Sequence, residues 1–111
     1  IGFGLENFDA IGRWRDKDDS GGPIDAAGEL PYGQRFTTPK ELKAIIAARK
    51  TEVVRNLTEK LLSYSLCRPL EGYDEFVVDR VMESLSKDDN RMQTLITEVV
   101  LSYPFTHRRV R

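Results

Sequence analysis

Apolar and polar positions follow two different patterns along the chain, and the change falls near Thr37. From Ile1 to Thr37, Gly, Pro and Asp interrupt each apolar run before a helical period is established. That pattern predicts turns, short strands and one short helix over Leu5 to Ile11. Gly12-Arg13-Trp14-Arg15 and Pro23-Ile24-Asp25-Ala26 flank the turn-forming Asp18-Asp19-Ser20-Gly21-Gly22, which predicts a short β-hairpin. Gly28-Glu29-Leu30-Pro31-Tyr32-Gly33 predicts a second turn before Phe36.

From Thr38 the period becomes helical. Thr38-Pro39-Lys40-Glu41 has the form of a capping box with proline in the first turn, so the threonine hydroxyl should accept from the Glu41 amide while the Glu41 side chain reaches back to the cap amide. Leu42, Ile45 and Ile46 supply the stripe of this helix, which should break near Arg49-Lys50. Val53, Val54, Leu57, Leu61 and Leu62 mark a second helix, stopped by Pro69. A third, with Asp74 as cap, carries Val77, Val78, Val81, Met82 and Leu85 and ends at Lys87-Asp88-Asp89-Asn90. A fourth carries Met92, Leu95, Ile96, Val99 and Tyr103, with Pro104 as its terminator. The expected fold is mainly α: a small bundle of three to four helices over 38–111 behind an irregular segment over 1–37 that holds a short β-hairpin, together a single domain. Leu57, Leu61, Val81, Leu85, Ile96 and Val99 are the expected core.

Composition narrows the function classes. The chain has 111 residues, and its 17 Lys plus Arg against 18 Asp plus Glu leave a formal net charge of −1, so no global field recruits nucleic acid or an anionic membrane. The basic end, His107-Arg108-Arg109-Val110-Arg111, is expected to be a solvated terminus rather than a nucleic-acid patch. No apolar run approaches the roughly eighteen residues of a membrane span, and no signal peptide is present. Cys67 is the single cysteine, which removes an internal disulfide and any paired-cysteine metal site, and its helical context, Ser63-Tyr64-Ser65-Leu66-Cys67, predicts a small buried hydrophobe.

The opening Gly2-Phe3-Gly4-Leu5-Glu6-Asn7-Phe8-Asp9-Ala10-Ile11-Gly12-Arg13-Trp14-Arg15 is dense in aromatic and glycine residues and has no initiator Met before it, so the chain is expected to be a fragment of a larger protein. This block, with Pro23-Ile24-Asp25-Ala26-Ala27-Gly28-Glu29-Leu30, Thr58-Glu59-Lys60-Leu61-Leu62-Ser63-Tyr64 and Ser102-Tyr103-Pro104-Phe105, resembles the C-terminal domain of unknown function of planctomycete-type cytochrome-c-like multidomain proteins. In that family the domain follows a haem-attachment motif of the form Cys-x-x-Cys-His. The resemblance implies an exported parent protein with haem c next door and neighbouring domains of the same chain as partners. The attaching cysteines and histidine have no counterparts here, so no cofactor is expected in this chain itself. Phe3, Leu5, Phe8 and Trp14 become the candidate haem-facing apolar surface.

Other residues invite sharper chemistry. Asp16, Asp18 and Ser20 match the first half of a calcium loop, in which alternate oxygen donors converge on a hard cation, but the twelfth position is Ala27 instead of a bidentate Glu, and an ordinary turn is the preferred reading. Met82 and Met92 have the thioether of a distal haem ligand, yet both lie on apolar stripes where Met fills a core. His107 is the single histidine and has no partner at ligand spacing. No set of acid, base and nucleophile emerges. Two functions of different classes follow: a non-catalytic module of an electron-transfer protein packed beside a haem segment, or an interaction domain with no redox role.

Overall fold

The computed structural model describes residues 1–107 and is mainly α, with a small two-stranded antiparallel sheet. The basic tail from Arg108 onward lies outside the described residues. The chain folds as two compact units, Ile1–Arg49 and Lys50–Arg111.

The first unit opens with a 3₁₀ turn, Gly2–Leu5, and not with the helix expected over Leu5 to Ile11. Asp9 accounts for the difference. Its carboxylate accepts from the amides of Ile11 and Arg13, its own amide bonds the Arg13 carbonyl, and Gly12 takes a φ of 78°. A short polar side chain that satisfies nearby amides competes with a helical ladder. The resulting reversal pairs Phe8 with Trp14 as an isolated bridge, their rings edge to face at 5.3 Å.

The hairpin expected between 12–15 and 23–26 is reduced to one bridge, Lys17 with Pro23. Pro23 has no amide to extend a ladder. The hydrogen-bonded hairpin forms instead around the second turn: β1 (Gly28–Glu29) pairs antiparallel with β2 (Arg35–Phe36), in register Gly28↔Phe36 and Glu29↔Arg35. Tyr32 and Gly33, with φ of 81° and 80°, close its tip, and a Glu29–Arg35 ion pair of 3.0 Å spans the strands.

Helix α1 (Pro39–Ala48) begins as the capping box requires, Thr38 Oγ1 accepting from the Glu41 amide at 3.2 Å. The Glu41 carboxylate, however, reaches one residue further back, to the Thr37 amide and hydroxyl. Those bonds hold its carboxyl below the usual range. Leu42 packs with Leu30 and Phe36, and Ile45 lies against them. A Cβ on Gly4 would come within 2.6 Å of Leu42 and one on Gly28 within 2.6 Å of the Phe36 ring, so both glycines let backbone lie on this small core.

In the second unit, α2 (Lys50–Leu66), α3 (Asp74–Lys87) and α4 (Met92–Leu101) enclose a core of Leu62, Val78, Val81, Leu85, Leu95 and Val99. Val81, Leu85 and Val99 are the expected members. Leu57 and Ile96 are instead exposed, and Leu61 only borders the core. Thr58 explains the shift on α2: it is wholly buried, because its hydroxyl donates to the Val54 carbonyl at 2.9 Å and its methyl can face the core. The buried line therefore runs through Thr58 and Leu62. Arg55 ties α2 to α3 by ion pairs to Glu75 at 2.6 Å and Asp79 at 2.8 Å.

Cys67 is exposed, contrary to expectation. It ends α2 in the left-handed conformation, with φ of 52°, its amide bonding the Tyr64 carbonyl and the Arg68 amide the Ser63 carbonyl. This is the helix-ending arrangement glycine usually supplies, and it turns the thiol outward. Pro104 does not terminate α4. The break comes at Ser102, which is extended, and Pro104 sits in the first turn of a one-turn helix, α5 (Tyr103–Thr106), where its missing amide costs nothing.

Candidate functional site

Two chain reversals in the second unit build a concavity. After α2 ends at Leu66, the left-handed Cys67 redirects the backbone so that Arg68 points toward the start of α3. After α4, Ser102 redirects it again, and α5 presents Tyr103, Phe105 and then His107. Between them lies a groove of about 990 Å³, lined also by Leu66, Tyr73, Asp74 and Val77. Its walls are mostly apolar and aromatic, and its charged side chains meet at one place.

That place is the Arg68–Asp74 pair. Asp74 was expected to cap α3, but it is the first residue of the helix, and its side chain turns backward. It accepts from Arg68 Nη1 at 2.7 Å, from Arg68 Nη2 at 3.1 Å and from the Glu71 amide at 2.8 Å. Asp74 is wholly buried, whereas the Arg68 side chain keeps 31% of its surface exposed. The guanidinium holds the Asp74 carboxyl below the usual carboxylate range, and the carboxylate in turn raises Arg68. Arg68 also lies over the Tyr73 ring, 5.5 Å from its centroid. The Glu71 carboxylate raises the Tyr73 phenol. Opposite, Tyr103 and His107 stack at 4.2 Å, and His107 Nδ1 lies 2.9 Å from the Thr106 hydroxyl.

The family model described as "Protein of unknown function (DUF1585)" matches residues 32–105. The chain belongs to this family. No curated protein and no solved structure matches it. The matched span of the DUF1585 chain runs from the hairpin tip to Phe105, so it takes in every groove residue except His107, while Phe3, Leu5, Phe8 and Trp14 precede it.

The site residues expected from the sequence, Phe3, Leu5, Phe8, Trp14, Asp16, Asp18 and Ser20, lie in the first unit and none of them lines the groove, whereas His107, singled out as a lone histidine, does. Phe3, Leu5 and Trp14 are exposed and Phe8 is half-buried beneath Trp14. Asp16 and Asp18 have different partners: Asp16 accepts from the Trp14 indole at 2.9 Å, and one oxygen of Asp18 accepts from the Ser20 amide, the Ser20 hydroxyl and the Gly22 amide. These bonds hold Asp18 below its ordinary pKa, the Ser20 hydroxyl foremost. Among the described residues no three His, Cys, Asp or Glu side chains are grouped to hold a metal. Met82 is half-buried against the core with its Sδ 3.7 Å from the Thr58 Oγ1, and Met92 is exposed at the start of α4. The groove itself was missed. Its signal was present as Arg68-Pro69 closing one helix and Asp74 opening the next, a cation and an acid six residues apart across a turn.

Proposed function

We propose that this DUF1585 chain is a non-catalytic module of an exported, c-type-cytochrome-like electron-transfer protein, packing beside a haem-bearing segment supplied by neighbouring sequence. The observation that supports this reading is the opening segment, which leaves Ile1, Phe3, Leu5, Ile11 and Trp14 exposed within a short stretch. Apolar side chains gathered this way favour burial against another body. The resemblance of Gly2 to Arg15 to the stretch after a haem-attachment motif favours a haem-bearing segment as that body.

The chain's own donors do not fit haem attachment. Covalent attachment uses two thiols and an adjoining histidine, whereas the chain has one Cys and one His. Cys67 Sγ lies against the Tyr64 carbonyl, and His107 is stacked on Tyr103. The role this reading gives to Phe3, Leu5, Phe8 and Trp14 is to cover the neighbouring segment and exclude water from it. Absorption spectra of this chain and of one extended upstream through a Cys-x-x-Cys-His motif test the reading. A Soret band confined to the longer protein, weakened or shifted by Trp14→Ala, supports it.

The second reading, an interaction module with no redox role, draws on the helical unit. There Val53 and Leu57 on α2, and Met92, Ile96 and Val100 on α4, are apolar and exposed. Absence of haem from the longer protein favours this reading instead.

A further inference from the structure

The groove in the second unit holds an arginine that is only half used. A guanidinium presents two forks, one formed by the two terminal nitrogens and one by Nε–H with the outer Nη2–H. Asp74 occupies the terminal fork, through Nη1 and Nη2, and the remaining Nη1 hydrogen goes to the Pro69 carbonyl at 2.9 Å. Nε–H and the second Nη2–H are left without an acceptor among the described residues, on a side chain that lines the groove. The buried carboxylate fixes the orientation of this free fork, and the Tyr73 ring supports the guanidinium at 5.5 Å. Two parallel donors at fixed spacing match the two oxygens of a carboxylate. Around them, Leu66, Val77, Tyr103 and Phe105 offer apolar and aromatic surface to whatever carries that carboxylate.

We propose that this groove binds a small apolar carboxylic acid, its carboxylate on the free Arg68 fork and its body against Tyr73, Tyr103 and Phe105. Asp74 neutralises the Arg68 charge and Glu71 adds a second negative charge, so long-range electrostatics gives no attraction and the acid must be held at contact. Selection comes from fork geometry and apolar contact: the acid is held in preference to its amide, and an aryl or alkyl acid in preference to acetate. This inference stands apart from the haem reading, since none of its residues belongs to the opening segment.

The test is amide-resolved NMR titration of the whole chain with 3-phenylpropionate, indole-3-acetate and octanoate, with 3-phenylpropionamide and acetate as controls. At least one of the three acids is expected to give saturable shifts confined to residues 65–77 and 103–107, with affinity about tenfold above both controls, a difference of about 1.4 kcal/mol. Arg68→Lys keeps a cation for Asp74 and removes the fork, so it should lower that affinity about tenfold while the spectrum stays dispersed. Tyr103→Ala, on an exposed ring, should weaken binding with no change in folding. The proposal is overturned if none of the three acids saturates, if the shifts map elsewhere, or if 3-phenylpropionamide binds as tightly as its acid. It is equally overturned if a folded Arg68→Lys chain binds unchanged.

Discussion

Asp74 has no exposed surface, yet it remains an anion because three donors surround it. Replacing it with Asn would keep the size and remove the charge that Arg68 is oriented by. Breaking a buried pair costs about 3 kcal/mol at the low end, and the low end applies because Arg68 is partly solvated. The pH dependence has a definite sign. Asp74 is depressed in the folded state, so its contribution is fully present above the unfolded carboxyl value of about 3.9 and is lost as pH falls through the lower folded value. Urea unfolding at pH 7 and pH 3 should show a smaller acid loss for Asp74→Asn than for the parent chain; equal losses would place the acid sensitivity elsewhere. A second residue-scale prediction concerns Gly28, where an added Cβ would come within 2.6 Å of the Phe36 ring. Gly28→Ala should cost about 1–3 kcal/mol by overpacking, read as a lower denaturation midpoint. Neither residue could be ranked from the sequence. A buried ion pair and a ring resting on backbone are both tertiary facts, whereas the Thr38 cap was legible because it is local.

The helices show where the periodicity argument succeeds and where it slips. α3 was legible face and all, since Val78, Val81 and Leu85 are flanked by Asp79, Arg80 and Glu83, so the polar side is unambiguous. On α2 the apolar residues outnumber the places in the core. Counting only apolar side chains put Leu57 and Leu61 inside and left out Thr58, whose hydroxyl is satisfied within its own helix. On α4, Gln93, Thr94, Thr97 and Glu98 mark the polar face, but the opposite arc of Met92, Leu95, Ile96, Val99 and Val100 is wider than the core it meets, so the period cannot say that Leu95 and Val99 are the edge that is buried. Substitution separates the two readings. Leu62→Ala should cost about 2–5 kcal/mol, as a wholly buried large-to-small change, whereas Leu57→Ala, nearly half exposed, should cost less than about 1 kcal/mol. Chemical denaturation of both variants checks the order, and a larger loss at Leu57 would restore the sequence-derived face.

At the scale of the whole molecule, the helical core draws on no residue before Lys50. Leu62, Val78, Val81, Leu85, Leu95 and Val99 come from α2, α3 and α4, and the partly buried residues packed on them, Val54, Leu61, Leu66, Leu70, Val77 and Met82, come from the same stretch. The ion pairs that join its elements, Arg55 with Glu75 and Asp79 and Arg68 with Asp74, are internal to it as well. Helix α1, by contrast, spends its buried face on Leu30 and Phe36. A chain of residues 50–111 therefore keeps the contacts that define its core, although domains of about 60 residues bury only about 60% of their unfolded surface and are marginal. It should show a helical circular dichroism spectrum and a cooperative thermal transition, at a lower midpoint than the full chain. Because every described residue of the groove lies in this stretch, the acid that binds the full chain should bind the shorter one too. A shorter chain that is helical but melts without cooperativity would show that the first unit completes this core, and the division at Arg49 would then mark a bend in one folding unit instead of a boundary between two.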